Sequence, residues 1–569
     1  MDSNASGRAF SLPQSYGNDP GMQRIAIIGT GPTGLYTLAA LIDGQQSLAI
    51  TLYEAGDQAG VGMPYDEHAN HRAMLANIAS IEIPPLTCTY LEWLREQSAG
   101  FLAGYGVAKE TLHDRQFLPR VLLGHYFRAQ FLALVTKATE RNHRVTVFEG
   151  CRVTDLQAGD NALRLWTNRH AEPAHFDRVV IATGHVWPST AEGGPGYFPS
   201  PWSGLIGTAI PAGAVGVLGT SLSGIDALIT VATAHGGFLL DDHGDLQYQP
   251  HADTEGFRAT MMSRKGILPE ADFYCEIPYR PLVFCTEEAI ERLIATHEHG
   301  LLDAIFALFR QELALADPDY AARIGLSMLS VETLAPAYFR ERQSADPFAF
   351  AARNLAEAEM NQKRQYTVEW RYAILRMHEV IACAIPHLDA ADLERFHKHF
   401  KTVFVDDYAT VPHDSIRRLL ALHRAGKLAV KAIGDDAEID NECVQRGAVV
   451  RFDGQELRFD AFIDATGQSS LSARDLPFST LVGQGVVSPA STRGSLMADE
   501  MVRTGGVDLD AAFRPIFNEN LSRNLYCGSI SFLLHKLPFV QGITSARDIG
   551  DVISAAILES EAEGALTAA

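Results

Sequence analysis

Arg24-Ile25-Ala26-Ile27-Ile28-Gly29-Thr30-Gly31-Pro32-Thr33-Gly34 is an apolar strand that runs straight into three spaced glycines. Gly29 permits the tight turn, Gly31 lets the backbone approach a pyrophosphate, and Gly34 lets the following helix pack on the strand. That helix, opened by Pro32 and Thr33, offers free N–H groups and a partial positive charge to phosphates. A second apolar run, Ala49 to Tyr53, ends in Glu54. An acid about 20 residues beyond the last glycine suits a ribose hydroxyl pair. The stretch therefore predicts a βαβ nucleotide-binding unit.

A second fingerprint, Val215-Gly216-Val217-Leu218-Gly219-Thr220-Ser221-Leu222-Ser223-Gly224, has Ser221 where the middle glycine would stand. Two such turns in one chain predict two dinucleotides that exchange electrons: a resident FAD and a visiting nicotinamide. Apolar runs lead into Ala182-Thr183-Gly184 and Ala465-Thr466-Gly467. In flavoproteins with two dinucleotides, such segments mark crossings between nucleotide domains. Met261-Met262-Ser263-Arg264-Lys265 reads as a strand end with a hydroxyl and two cations. Cations there suit a 2′-phosphate, which predicts NADPH over NADH; the alternative is a solvated basic turn.

Composition narrows the rest. The chain has 569 residues, 47% hydrophobic and 20% charged, enough for two or three domains with real cores. A net charge of −22 argues against nucleic acid and anionic membranes as partners. No apolar run reaches the length of a membrane span. Seven scattered cysteines, with no Cys-x-x-Cys, fit a reducing cytoplasm and exclude a dithiol relay. No metal motif and no nucleophile triad is present.

The predicted fold is α/β: two Rossmann-like domains with an all-helical insertion. Residues 1–23 read as a disordered arm. Residues 24–205 and 476–569 form the FAD domain, and 206–286 with 425–475 the NADPH domain. Residues 287–424, poor in glycine and with helical spacing of apolar residues, form the insertion and the expected substrate region. Hairpins are expected around Asp241–Gly244 and at the Asp453-Gly454 turn. Asn524 to Ser529 reads as a returning strand with a glycine turn. Gly542 and Thr544 open a last helix whose N-terminus can face the pyrimidine edge of a flavin. Val153 is placed with the cofactor-binding set.

Gly60-Val61-Gly62-Met63-Pro64-Tyr65, Met74 to Ser80, Phe117-Leu118-Pro119-Arg120 and Ser263-Arg264-Lys265-Gly266 resemble the large FAD/NAD(P)-binding protein family. Its better-understood branch holds flavin-dependent N-monooxygenases, some of which oxidise the amine of aspartate to nitrosuccinate. The resemblance implies NADPH and O2 as co-substrates, a C4a-hydroperoxyflavin, and a small amine or amino acid as substrate. It implies that the Met63–Asn77 loop lines the flavin, with Asn77 at the ring edge. Many relatives have Gly-Asp where this chain has Gly528-Ser529, so a charge is missing there.

A small acidic substrate would need arginines, which grip carboxylates in two-pronged geometry. Arg72, Arg280, Arg364 and Arg371 are the candidates; each also reads as an ordinary salt-bridge arginine. Three functions stay open at this point. They are an N-monooxygenase, a reductase feeding a quinone or protein carrier, and a non-catalytic nucleotide-dependent scaffold. A homodimer is compatible with the chain.

Overall fold

The computed structural model describes residues 21–568, except 160–161, 187–191, 203, 469, 495–500, 517–522 and 541. Residues 1–20 of the expected arm thus lie outside the described residues.

Two five-stranded sheets organise the chain. The strands are β1 (Gln23–Ile28), β2 (Leu48–Tyr53), β3 (Arg144–Phe148), β4 (Arg178–Ile181) and β5 (Tyr197–Phe198). They continue as β6 (Ala214–Leu218), β7 (Arg258–Ser263), β8 (Leu428–Ala432), β9 (Ala461–Asp464) and β10 (Leu525–Cys527). One sheet has the order β10-β4-β1-β2-β3, the other β8-β7-β6-β9-β5. Every pairing in both is parallel. A parallel sheet must be covered on both faces, so its strands read as apolar runs; β1 and β4 end in residues that are almost wholly buried.

The two halves follow one plan. In each, the fingerprint strand is central, with the strand before Ala-Thr-Gly on one side. In each, a three-stranded antiparallel sheet fills the crossover to that strand. It is Val153–Ala158, Leu163–Thr167 and Ala174–Phe176 in the first half. In the second it is Glu438–Asp440, Ala448–Phe452 and Gln455–Phe459. The Asp453-Gly454 turn there has φ of 46° and 70°, the left-handed pair of a tight hairpin turn. The other expected hairpin is Gly236–Leu240 against Leu246–Pro250.

In each half a long excursion also leaves the second strand and returns through a helix before the third. Residues 54–119 do so before the helix Arg120–Glu140, and residues 264–412 before the helix His413–Arg424. Both excursions leave from carboxyl ends of parallel strands, where open α/β sheets bind their ligands.

The domain limits shift from those expected. Strand β5 pairs with β9, so the second half begins before residue 206. Most of the insertion has its own core, including Phe306, Phe309, Met377, Phe400 and Phe404. Phe348, Leu355, Ile416 and Leu419 instead pack under the second sheet. The physical reason is that His413–Arg424 is the crossover helix of β8, and Pro347–Arg364 packs beside it. Helical composition alone did not separate a crossover helix from an insertion.

The carboxyl-terminal segment returns to the first sheet. β10 joins β4, and the helix Ile543–Ala568 lies on the helix Pro32–Ile42. Gly550 makes the close approach: a Cβ there would stand 2.8 Å from the Thr37 nitrogen. No helix among the described residues is long and apolar enough to cross a membrane.

Candidate functional site

The first fingerprint is built as its spacing requires. Gly29 has φ +95°, and an added Cβ would lie 2.3 Å from the Ala182 carbonyl oxygen. At Gly34 an added Cβ would lie 2.1 Å from the Gly29 oxygen, so the helix seats tightly on the strand end. Gly31 is the extended residue before the helix, and Pro32 occupies its first turn, where no N–H partner is lost. Thr33 is buried beneath. Glu54 is locked at the end of β2: it accepts from Thr30 Oγ1 at 2.5 Å and from the Gly56 nitrogen at 2.8 Å. Met63 opens a short turn. Beside it, Gly62 lies so near the fingerprint that its Cβ would be 3.2 Å from Gly31 Cα. Val153 opens its strand with a buried side chain.

Thr183 and Gly184 complete this edge. Gly184 has φ +69° with open space around it. Ser529 is fully buried and its Oγ accepts from the Thr183 nitrogen at 2.9 Å and shares a hydrogen bond with Thr183 Oγ1 at 2.8 Å. Its hydroxyl therefore holds the Thr183-Gly184 turn rather than reaching outward. Gly528 is closely packed: a Cβ there would stand 3.0 Å from Ile549 and 3.2 Å from Thr33. Gly542 immediately precedes the last helix and Thr544 lies in its first turn.

The second fingerprint repeats the construction. Gly219 has φ +118° and its Cβ would lie 2.8 Å from the Ala465 oxygen; at Gly224 the clash is 2.3 Å from the Gly219 oxygen. Ser221 sits at the extended position before the helix with φ −102°, a conformation that needs no glycine. Ser221 is exposed, Ser223 lies in the first turn of the helix, and Gly467, φ +95°, has open space around it. Both halves thus leave a cradle beside the fingerprint that fits a dinucleotide. At the end of β7, Ser263 Oγ accepts from the Gly266 nitrogen. Arg264 is exposed, with only a long 3.4 Å contact to Asp435. Lys265 differs from expectation. Its Nζ lies 4.0 Å over the Phe339 ring and 3.3 Å from Thr402 Oγ1, and burial lowers its pKa. It faces the insertion, because the chain turns there at Gly266 (φ +63°).

The four candidate arginines are not gathered. Arg72 is exposed against Glu67, Arg280 pairs with Glu369 and Glu276, and Arg364 is exposed at a helix end. Arg371 is buried and paired with Glu270.

What the structure does gather is a cavity where the two excursions meet. Asn77, Glu82 and Arg115 line it from the first. Asp272, Phe273, Tyr274, Cys275, Tyr279, Asp407 and Tyr408 line it from the second. Arg115 stacks on the Tyr274 ring at 4.6 Å. Burial, with Glu82 adding to it, pushes the Asp272 carboxyl up to about 8. Burial pushes the Cys275 thiol up to about 12. Of these residues only Asn77 was marked from sequence. The rest come from distant segments, and the one local signal was the Asp406-Asp407 pair set in an apolar helix.

A buried ion pair joins the two halves. Arg120, opening the helix before β3, meets Asp226 of the second fingerprint helix at 2.7 Å and faces the Trp202 ring. Arg418 donates to the Ala73 oxygen, tying the second crossover helix to the Met63–Asn77 loop.

A family model described as FAD-NAD(P)-binding matches residues 26–186, and one described as the YdhS-like middle domain matches residues 286–408. The chain is 45% identical to the protein YdhS of Escherichia coli (strain K12) over 540 residues, 95% of this chain and 98% of that one. The chain belongs to the YdhS family. The middle-domain model ends before the crossover helix His413–Arg424. A nucleotide cradle in each half agrees with the FAD-NAD(P)-binding description of the first of these models. Among solved structures, the Kutzneria sp. 744 ornithine N-hydroxylase aligns at 13% identity and TM-score 0.47, covering 95% of this chain and all of that one. The L-lysine 6-monooxygenase from Pseudomonas syringae aligns at 13% identity and TM-score 0.45, covering 94% of this chain and 98% of that one. The Bacillus cereus bacillithiol disulfide reductase aligns at 13% identity and TM-score 0.42, covering 95% and 99%. Likeness at this level bears on neither substrate nor mechanism.

Proposed function

We propose that the chain is a flavin-dependent monooxygenase that uses NADPH and O2 to oxidise the amine nitrogen of a small molecule. The cavity between the two excursions carries this reading. It is the place to which the carboxyl ends of both parallel sheets send their longest excursions, and aromatic rings line it. Gly29, Gly31, Thr33, Glu54 and Gly184 would hold FAD. Gly219, Ser221, Ser223 and Arg264 would hold NADPH, with Arg264 on the 2′-phosphate. Bound FAD, once reduced, supplies the activation of O2, and the protein supplies orientation and shelter. Phe273, Tyr274, Tyr279 and Tyr408 exclude water from the amine. Asn77 ends the loop beside the fingerprint and orients what enters. Cys275, the thiol in the cavity, is unpaired and protonated at neutral pH, which does not suit disulfide reduction.

Aspartate is the substrate that the family resemblance implies. It carries two carboxylates, and Arg115 is the arginine that lines the cavity. Stimulation of NADPH use across a panel of amines and amino acids headed by aspartate, with hydroxylamine or nitroso product, tests the reading. Cofactor preference is a separate check. Arg264→Ala raises KM for NADPH roughly ten-fold, the loss of one exposed charge-assisted contact of about 1.4 kcal/mol. KM for NADH stays unchanged. An equal rise for both cofactors would remove Arg264 from the 2′-phosphate.

A further inference from the structure

Asp407 is fully buried, lines the cavity, and has no hydrogen-bond partner on either carboxylate oxygen. A carboxyl group left in that state is costly unless something completes its bonding. Its surroundings do not. Arg371, the buried cation that faces it, pairs with Glu270 and leaves its own Nη1 without a partner, and Arg342 pairs with Asp406 and Glu270. In the cavity lining, Glu82, Asp272 and Asp407 face the single guanidinium of Arg115, so carboxyl groups outnumber guanidinium groups. Among the described residues, no set of three or more His, Cys, Asp or Glu is arranged to hold a metal ion. A hydrogen-bond donor that enters the cavity would complete the bonding of Asp407. Phe273, Tyr279 and Tyr408, also in the lining, suit a cation's apolar stem and charged head.

We infer that this cavity recognises an alkylammonium group, seated on Asp407 between Asp272 and Glu82, so that the natural substrate is a small cationic amine rather than an acidic one. The inference deepens the monooxygenase reading and rests on it only for what happens next to the amine.

Proton linkage follows from the same groups. Asp272 is faced by Glu82 and Arg115 from the first excursion, by Cys275 on its own segment, and by Asp407 and Thr410 from the helical side. Asp407 is faced by Arg371 and Asp406, by Tyr320 and Tyr338, and by Cys275, and burial holds its carboxyl well above the ordinary carboxylate range. Both groups bind protons more tightly in the folded protein than in the unfolded chain. An arriving ammonium favours their charged forms and releases those protons. Amine affinity therefore falls as pH drops below about 8, the Asp272 value.

The test is calorimetric titration of the full-length, FAD-loaded protein with cadaverine and, separately, with aspartate, in two buffers of different ionisation heat. Cadaverine binds roughly ten-fold or more tightly than aspartate, with proton release to the buffer. Asp407→Asn and Asp272→Asn each weaken cadaverine roughly ten-fold or more, which is about 1.4 kcal/mol. Glu456→Gln, the same carboxyl-to-amide exchange on the exposed hairpin, leaves binding unaltered. Flavin content reports that each variant is folded. Tighter binding of aspartate, or cadaverine binding untouched by both cavity variants, overturns the inference. Carboxylate-dependent binding of cadaverine without NADPH-driven oxidation supports this inference and defeats the monooxygenase reading. Oxidation of an acidic amine alone does the reverse.

Discussion

Gly29→Ala protein is expected to purify colourless, whereas Gly219→Ala protein stays yellow but loses reduction by NADPH. The two substitutions are chemically identical and act on equivalent turns. At Gly29 the new methyl group meets the Ala182 oxygen at 2.3 Å in a backbone with φ +95°; at Gly219 it meets the Ala465 oxygen at 2.8 Å with φ +118°. A left-handed non-glycine residue alone costs about 1–3 kcal/mol, and overpacking against backbone adds about 1–3 kcal/mol more. Neither turn can relax without moving the strand that leads into its partner, Ala182 or Ala465. The first change therefore empties the FAD site. The second leaves flavin bound and reducible by dithionite, and slows NADPH-driven reduction by at least roughly a hundred-fold, or about 2.7 kcal/mol. Absorbance at the flavin band and anaerobic reduction rates read both outcomes. A yellow Gly29→Ala protein beside a colourless Gly219→Ala protein would exchange the two cofactor assignments.

Arg120→Leu is expected to be the most damaging change outside the nucleotide turns. Arg120 and Asp226 are both buried, 2.7 Å apart, and they join the two nucleotide-binding halves. Removing one partner of a buried pair costs about 3–5 kcal/mol, because the other charge is left without compensation. The pH dependence has a definite sign. Burial raises the Asp226 carboxyl from its ordinary value to about 6 even with Arg120 beside it. Below its unfolded pKa, about 4, the group is protonated in both states, so losing Arg120 matters least. Above about 6 the native protein relies on the paired charge, and the variant must bury it bare or hold a proton against rising pH. The deficit in thermal stability therefore widens from pH 5 to pH 8. Asp226→Asn placed in the Arg120→Leu background recovers part of it. A deficit that is flat in pH, or additive double-variant effects, would show that the two residues do not act as a pair.

The sequence carried the two nucleotide units plainly because their chemistry is local. Gly29, Gly34, Gly219 and Gly224 are fixed by contacts within one strand-turn-helix, and Glu54 by the strand that follows. The Asp453-Gly454 turn was legible for the same reason. The cavity was not. Glu82, Arg115, Asp272 and Asp407 lie in four segments that meet only because both halves send excursions from equivalent strand ends, and no spacing rule links them. The arginines chosen for their aromatic or loop neighbours were seen in the right company but in the wrong role: Arg280 does lie over Tyr372, at 5.0 Å, yet its charge is spent on Glu369. Lys265 was misjudged in direction, since a turn sets where a side chain points and sequence shows only that a turn exists. Ser529 was identified as a departure from its relatives. Its partner, Thr183, lies in a different part of the chain, so its inward role was visible only in the fold.

Peroxide released per NADPH consumed, measured on the FAD-loaded protein in aerated buffer with and without each amine of the panel, tests the monooxygenase claim most directly. The account predicts that one small amine accelerates NADPH use while the peroxide yield falls well below one, with the balance recovered as hydroxylated or nitroso product. A peroxide yield that stays at one with every amine, together with acceleration only by a quinone or dye, would contradict it and make the chain a reductase.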